Sequence, residues 1–476
     1  MPARQGPRRR QERRHPVDRP SPCSVRRYTA RPRPRRCLSR PPRPRRRGVS
    51  TLPVHYEHLV IGAITLAEEE PSFAYDIRWQ NTRGAFPVSL GMPLGGGPFG
   101  PEVLMPWLAN LLPEDANLLA VGRNLGVSPQ DVIGILERIG RDTAGALTIG
   151  RLRAGEAPDY RPIDGEAELE KIIEELPAKP FLAGEDGVSM SLAGAQEKLP
   201  VALLPDGRMA IPVNGAPSTH ILKPDARRRL WGSVQNEALC MTLAHRCDLK
   251  TAAVTTGKAG ERSYLLVTRY DRVQRDGRWL RVHQEDFCQA LGKPPGAKYE
   301  RNRSGIKGPR LVDMFKVVDD HLTAADRMRL LDAIVFNVLI CNTDAHAKNY
   351  SILLTGRGFS LAPLYDLMCA AAWENVTKNL SQTIAGKDRG DHLKGHHWQR
   401  MADECGFNRT MILGRIETVA ERVRRELPEA VAAVRAMPGG DHPLLGEFAA
   451  AIEARCRTVV RLLAHVEEDA EDKHPR

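Results

Sequence analysis

The sequence predicts an α+β protein of two lobes, a mixed α/β N-terminal lobe followed by a mainly helical C-terminal lobe. Three observations lead there. Short runs rich in β-branched and aromatic residues are concentrated before residue 285. Beyond it, apart from one hairpin at 350–366, apolar residues recur at helical spacing. A length of 476 residues suffices for two or three domains with a large core. No apolar run reaches the roughly 18–20 residues of a membrane helix, so no membrane partner is expected.

Residues 1–50 stand apart. They hold eighteen arginines, ten prolines, no lysine, and only Glu12 and Asp18 as acids, a charge of +16. The whole chain carries +12, so 12 − 16 = −4 remains for residues 51–476, an ordinary globular balance. A segment with so little apolar content cannot build a core. It reads as a basic nucleic-acid arm, an Arg-rich targeting peptide, or translated sequence upstream of the true start. Arginine without lysine favours the last, with a start near Val49. The nine cysteines are scattered and none forms a C-x-x-C pair. That excludes a zinc ribbon or disulfide framework and points to a reduced, cytoplasmic protein.

Globular composition begins at Leu52. Residues 54–62 and 73–79 read as strands, 104–112 and 131–139 as helices, and 146–151 as a strand closing a small sheet. The glycine-rich stretch 91–97 is a turn, since no G-x-x-x-x-G-K-[ST] pattern follows it. This makes an α+β domain over 52–155. A second unit, 156–283, opens with a linker and an acidic helix at 166–176. Strands follow at 199–204, 220–224 and 264–272, with a helix at 234–249. The last unit, 284–470, is a succession of helices at 284–291, 311–321, 324–340, 397–404, 408–424 and 444–467, the fifth with Asn408 at its start as a good N-cap.

The chemistry gathers around residues 331–366. Leu331, Ile334, Val335, Val338 and Leu339 form one apolar helical stripe. The helix runs into the polar stretch from Cys341 to Asn349, and the hairpin that follows returns Asp366 toward it. Asp344, then Asn349, then a later Asp366 is the order of parts in a kinase site: a base for the substrate hydroxyl and two Mg²⁺ ligands. His346 and Lys348 would add hydrogen-bonding or positive character beside the phosphates. Upstream, the small residues Ala193, Gly194 and Ala195 let backbone N–H groups approach an anion. Lys223 ends a short apolar strand where a phosphate-contacting lysine would sit, and Glu237 is placed to pair with it. The strand through Thr268, Arg269 and Tyr270 suits an adenine hinge. Each feature also has a plainer reading, as a polar loop, a turn, a solvated charge or a core strand. Their common order points to a nucleotide-dependent kinase.

With those residues in view the chain resembles the HipA family of serine/threonine kinases, the toxins of bacterial HipBA-type toxin–antitoxin modules. The resemblance covers residues 52–465. It rests on Asn110-Leu111-Leu112-Pro113-Glu114, Ile139-Gly140-Arg141-Asp142, the run Ser191 to Lys198, His283-Gln284-Glu285-Asp286, Lys298-Tyr299-Glu300, the run Asn342 to Asn349, and Leu364-Tyr365-Asp366. It implies a kinase fold distantly like protein and phosphoinositide kinases, with ATP and Mg²⁺ as cofactors. Asp344 becomes the catalytic base, and Asn349 and Asp366 the metal ligands. Lys223, the loop Ala193, Gly194, Ala195, Gln196, Glu197 and Lys198, the hinge Thr268 to Tyr270, His346, Lys348 and Tyr365 become the nucleotide site. Ser191 matches the serine that family members autophosphorylate, with Ser189 a second hydroxyl two residues earlier. A HipB-like antitoxin, operator DNA reached through it, and a protein substrate such as an aminoacyl-tRNA synthetase are the implied partners. Two departures stand out: Thr268 replaces an acidic residue of some relatives, and Asn302 to Pro309 is more basic than the family's Gly-rich loop.

Two other classes fit parts of the sequence. A metal-dependent phosphoesterase could use Asp344, His346, Asn349 and Asp366 with water as acceptor, but leaves Lys223 and the hinge without a role. A DNA-binding or adaptor protein could present Lys387, Arg389, His392, Lys394, His396 and His397 to phosphates. The same stretch also reads as a solvated helix start.

Overall fold

The structure, a computed structural model, describes residues 50–67, 70–150, 157–227 and 230–467. The expectations for residues 1–49 lie outside them. The N-terminal part is a four-stranded antiparallel sheet in the order Glu70–Tyr75, Leu59–Ala67, Ser50–Tyr56, Leu147–Ile149. Helices Pro101–Ala109, Asp115–Leu125 and Val132–Ile139 accompany it. The expected single strand at 54–62 is in fact a hairpin. Glu57 takes a left-handed φ of 51° at its turn, and the apolar run is shared between two strands. The strand expected at 73–79 stops at Tyr75 because Asp76 accepts a hydrogen bond from Arg78 N and caps the short helix Ile77–Gln80.

A six-stranded sheet forms the next layer, in the order Asp159–Pro162, Met209–Val213, Leu199–Leu203, His220–Pro224, Arg262–Thr268, Val254–Ala259. Its first strand falls in the stretch expected to be a linker, where residues 159–162 pair antiparallel with residues 210–213. The central strand His220–Pro224 is flanked on both sides, and Lys223 lies opposite Leu265. Helix Ser233–Arg246 packs on this sheet with an almost wholly buried sequence.

The remainder is mainly helical. Helix Ala324–Leu339 is closed at its start by a capping box between Thr323 and Asp326. It is buried from Leu330 to Leu339 against Leu311–His321, Arg409–Arg435 and Leu445–Leu463. Asn408 caps the long helix through Met411 N, as its side-chain chemistry predicted. Three expectations fail here. Residues 284–286 belong to a strand, His283–Asp286, which pairs with Ser351–Thr355, and the helix that follows is only Phe287–Ala290. A further hairpin, Asn379–Ile384 with Lys387–Arg389, was hidden by its polar composition. The basic stretch 387–397 is no solvated helix start, since Lys387–Arg389 is strand and His396 and His397 are buried. Among the described residues no helix is long and apolar enough to cross a membrane.

Beyond residue 49 the described chain packs as one compact unit. A buried charge cluster ties its parts together. Asp142, fully buried, meets Arg272 at 2.8 Å and Arg281 at 3.1 Å, and accepts from Ser218 Oγ at 2.6 Å. Arg269 pairs with Asp271 at 2.7 Å and reaches Asp142 at 3.5 Å. Burial alone would raise the Asp142 carboxyl, but Arg272, Arg281 and Arg269 hold it well below the usual range.

Candidate active site

The loop Asn342 to Asn349 is shaped by a relay of amides. Asn337, on the last turn of helix Ala324–Leu339, donates to Tyr350 Oη at 2.9 Å, and its Oδ1 accepts from Asn342 Nδ2 at 2.8 Å. Asn342 Oδ1 in turn accepts from Asp344 N at 3.0 Å. Asp344 O then receives His346 N at 2.8 Å and Asn349 Nδ2 at 2.7 Å. The helix ends at Cys341 in the left-handed region, φ 62°, so the chain turns sharply into the loop. The amides of this loop are therefore tied to one another and to the helix before it.

Asp344 keeps a half-exposed carboxylate, with 47% of its side chain open, while His346 beside it is buried. Tyr299 Oη donates to Asp344 Oδ1 at 2.5 Å, and the Tyr299 ring meets His346 edge-on at 5.1 Å. Its surroundings push the Asp344 carboxyl upward, first by burial and further by the Asp366 charge, against the pull of Tyr299 and Lys298. Burial and Lys298 drive His346 down to about 3, so it is neutral at physiological pH.

Asp366 arrives from the other side. Leu364 is clamped between Lys250 and Ala252 by two backbone bonds, and Asp366 adopts a φ of 58°, a strained position of the kind found at functional sites. Asn236 exchanges two hydrogen bonds with the backbone of Cys369, at 2.9 and 2.8 Å, fixing this segment to the helix that bears Glu237. Lys223 then meets Asp366 Oδ1 and Glu237 Oε1, each at 2.7 Å. Burial alone would raise Asp366, but Lys223 and Lys198 hold it well below the carboxylate range, so it stays charged. Buried Lys223 and Glu237, 14 residues apart, thus meet the partly exposed Asp366, 143 residues beyond the lysine.

The loop 193–198 lies over this triad. Gly194 has φ 104°, its O accepts from Glu114 N at 3.1 Å, and Lys198 Nζ donates to Ala193 O at 2.7 Å. That φ lies in the left-handed region, so the backbone requires the glycine, and a Cβ there would also push aside Lys198 Nζ at 2.8 Å. Ala195 O accepts from Asn117 Nδ2 at 2.9 Å. Burial, with the Lys223 charge next, lowers Lys198 to about 8. Glu197 lies in the field of Arg262 and Arg227, and burial raises its carboxyl. Ser191 is fully buried and donates to Leu111 O at 2.7 Å, while Ser189 donates to Arg138 O at 2.8 Å. Neither hydroxyl is presented to solvent.

Two side chains expected at the nucleotide are directed elsewhere. Lys348 turns away from Asp344. It donates to Asn110 Oδ1 at 2.6 Å and lies 3.4 Å from Asp286 and 3.6 Å from Glu114, because those carboxylates offer a buried lysine its charge balance. Arg269 is consumed by the Asp142–Asp271 cluster, which leaves only its backbone at the hinge, and that N–H already bonds Thr219 O at 3.0 Å. Thr268 N is likewise bonded, to Ala253 O at 2.8 Å. Tyr365 donates to Lys348 O at 2.6 Å and stacks its ring on Tyr270 at 5.7 Å, so these two aromatics form one wall. Sequence reasoning gave no role to Glu114, Lys298 or Tyr299. Glu114 bonds Lys298 at 2.6 Å, and its backbone holds Gly194. All three lie in stretches already singled out, but spacing alone could not bring Glu114 to Lys298.

The residues present fit a divalent cation. Asp366 offers a charged carboxylate with Oδ1 on Lys223 and Oδ2 left over, and Asn349 is held by its Nδ2, leaving Oδ1. Mg²⁺ is satisfied by one or two such oxygens together with phosphates and water. Among the described residues no three of His, Cys, Asp and Glu gather into a self-contained metal cage. His346 Nδ1 is buried without a hydrogen-bond partner in the structure, the kind of atom a bound group satisfies.

Comparison with known proteins agrees with this geometry. The model of the HipA N-terminal domain matches residues 52–150, and that of the HipA-like C-terminal domain matches 190–427. Y4mE of Sinorhizobium fredii, named as a candidate kinase, is 37% identical over 395 residues, 80% of this chain and 93% of its own. The serine/threonine-protein kinase toxin HipA of Shewanella oneidensis is 29% identical over 434 residues, 88% of this chain and 97% of its own. The solved complex of Shewanella oneidensis HipA, HipB and operator DNA superposes with a TM-score of 0.76 at 28% identity, covering 87% of this chain and 99% of that one. With one model spanning half of its length and a relative of this similarity covered almost whole, the chain belongs to the HipA family.

Proposed function

We propose that this protein is a Mg·ATP-dependent serine/threonine protein kinase and the toxin of a toxin–antitoxin pair. The buried contact of Lys223 with both Glu237 and Asp366, below the loop 193–198, carries the reading. A phosphoesterase has no use for that lysine–glutamate pair. The buried state of His396 and His397 removes two of the groups that a DNA-binding reading of 387–397 required.

In this mechanism Lys223, oriented by Glu237, holds the ATP phosphates, and the backbone N–H groups of Ala193 to Lys198 line them. Tyr270 and Tyr365 wall the adenine end. Asn349 and Asp366 are the residues that would hold Mg²⁺, which would supply charge neutralisation for the transferring phosphoryl group. Asp344 accepts the proton of the substrate serine or threonine hydroxyl as its oxygen attacks phosphorus. Tyr299 holds the carboxylate in place and gives up its bond to the incoming hydroxyl. His346, neutral, can donate a hydrogen bond without adding charge. Lys348 has a supporting role, fixing the far side of the loop on Asn110 and Glu114.

Autophosphorylation of Ser191, or of Ser189, is the self-inactivating step we infer from the motif. Since both hydroxyls are buried, the segment must leave its place to be modified. The partner inferred is a HipB-like antitoxin that reaches operator DNA, and the target a translation protein such as an aminoacyl-tRNA synthetase. Transfer of label from γ-labelled ATP to protein, with and without Mg²⁺, tests the core of the reading. Label that requires Mg²⁺ and is lost in Asp344→Asn supports it. Absence of transfer with intact ATP binding removes it.

A further inference from the structure

The chain leaves the active site at Tyr299, the residue bonded to Asp344, and enters a projecting loop before helix Leu311–His321. This loop is built to hold one shape. Asn302 Nδ2 donates to Tyr299 O and Ile306 O, each at 3.0 Å, while its Oδ1 accepts from Ser304 N at 2.9 Å and Ser304 Oγ at 2.6 Å. Gly308 closes it over Tyr299, where an added Cβ would come within 1.9 Å of Tyr299 O. No side chain can stand there without moving the tyrosine that touches the catalytic base.

The loop carries four cations, two of them already used. Arg301 pairs with Asp388 at 2.9 Å and bonds Gly386 O at 3.2 Å, and Arg310 lies 3.5 Å from Asp313. Arg303 and Lys307 are exposed and form no ion pair with any other described residue. Ile306, between them in sequence, is 44% exposed. A loop rooted on the catalytic base, self-bonded at its neck, thus presents two unpaired cations flanking an aliphatic side chain. Fixing such a loop costs conformational entropy with no core gained.

We propose that this loop is the docking site for the phosphoacceptor protein, and that it takes an acidic segment of that protein close to the target hydroxyl. Arg303 and Lys307 meet carboxylates there, and Ile306 meets an apolar side chain between them. Charge complementarity at this edge selects and steers the partner. A nucleic acid suits the loop poorly. Strong binding to one uses about 6–10 phosphate contacts, against two free cations here. Residues 301–310 also contain no aromatic ring on which a base could stack. The proposal rests on the kinase reading and adds a substrate class to it.

The test uses the full chain with Mg²⁺ and a non-hydrolysable ATP analogue. Labelled peptides of equal length carry one central serine flanked by Glu/Asp with Leu, by Gln/Asn with Leu, or by Lys with Leu, and a single-stranded RNA of similar length is the fourth probe. Anisotropy titrations should show the acidic peptide binding about tenfold tighter than the neutral one, the scale of two modest ion pairs. Raising the salt should erase the difference. Arg303→Glu with Lys307→Glu should abolish or invert the preference while leaving autophosphorylation unchanged. Equal binding of acidic and neutral peptides overturns the proposal. So does a preference that survives charge reversal, or charge reversal that abolishes RNA binding alone. Autophosphorylation separates the two failures: a chain that labels itself but ignores acidic peptides loses only the docking site, whereas one that never transfers phosphate loses the kinase reading.

Discussion

Asp344 lies within the electrostatic reach of Asp366, yet their surroundings shift the two carboxyls in opposite directions. Asp366 is held ionised by Lys223 and Lys198, whereas burial and the neighbouring negative charge push Asp344 upward. A group kept charged suits a metal, and one raised toward neutrality suits proton transfer. Asp344→Asn should therefore keep ATP binding and lose at least about a hundredfold in phosphotransfer, the usual weight of a general base. Asp366→Asn should weaken Mg·ATP binding itself. Calorimetric titration beside a phosphotransfer assay distinguishes the two, and normal turnover in both variants would remove these assignments. Lys198 gives a pH dependence with a definite sign. Burial and Lys223 lower it to about 8, below its ordinary 10.5, and bound phosphates favour its charged form. ATP affinity should be full below pH 8 and fall as pH rises through it, by up to about tenfold per unit. Lys198→Arg, charged throughout, should abolish that fall. A wild-type affinity that stays level from pH 7 to 9.5 would show that Lys198 does not face the phosphates.

The segment 189–195 is not free-standing but is held by the N-terminal part. Ser191 N bonds Asp142 O, Glu114 N bonds Gly194 O, and Asn117 bonds Ala195 O. Ser191 Oγ points at a carbonyl, Leu111 O, which can receive a proton donor but repels an anion. Ser191→Asp should therefore detach the loop and weaken ATP binding severalfold or more, while Ser191→Ala should bind ATP nearly as wild type. Mass spectrometry after incubation with Mg·ATP should locate phosphate on Ser191 or Ser189. Finding neither in active enzyme would sink the switch. The loop from Asn342 to Asn349 is held just as firmly by Asn337, Asn342 and Asn349, so its geometry comes from side-chain relays and not from regular secondary structure.

One charge cluster makes the molecule cooperate. Asp142 comes from the N-terminal part, while Arg269, Arg272 and Arg281 come from the strands and turns around the hinge, and all four are buried. Removing Asp142 leaves three guanidinium groups without their shared counter-charge, and breaking such a buried pair costs about 3–5 kcal/mol. Asp142→Asn should lower the melting temperature by several degrees. Tryptophan fluorescence from the N-terminal part and circular dichroism of the helices should melt together in wild type. Two separate transitions in the wild type would show that the parts fold independently.

Much of this protein could be read from its residues in order. The helical stripe from Leu331 to Leu339, the hairpin at 350–361, the strand His220–Pro224 and the helix bearing Glu237 all follow from apolar periodicity, and the structure contains them. The order of Asp344, Asn349 and Asp366 follows from the short, local geometry of a loop and a hairpin. Local rules failed where pairing is set at long range. The polar strands Asn379–Ile384 and His283–Asp286 have little β character of their own and exist because Lys387–Arg389 and Ser351–Thr355 lie beside them. Charge was the other blind spot. A sequence does not say which carboxylate a buried lysine will find, so Lys348 read like a phosphate ligand until Asn110, Glu114 and Asp286 were seen to surround it. The sequence determined the apolar helices and strands and the chemical types at the site. Only the tertiary structure decided which partner each buried charge takes, because Lys348 meets Asn110 and Lys223 meets Asp366 across 238 and 143 residues of chain.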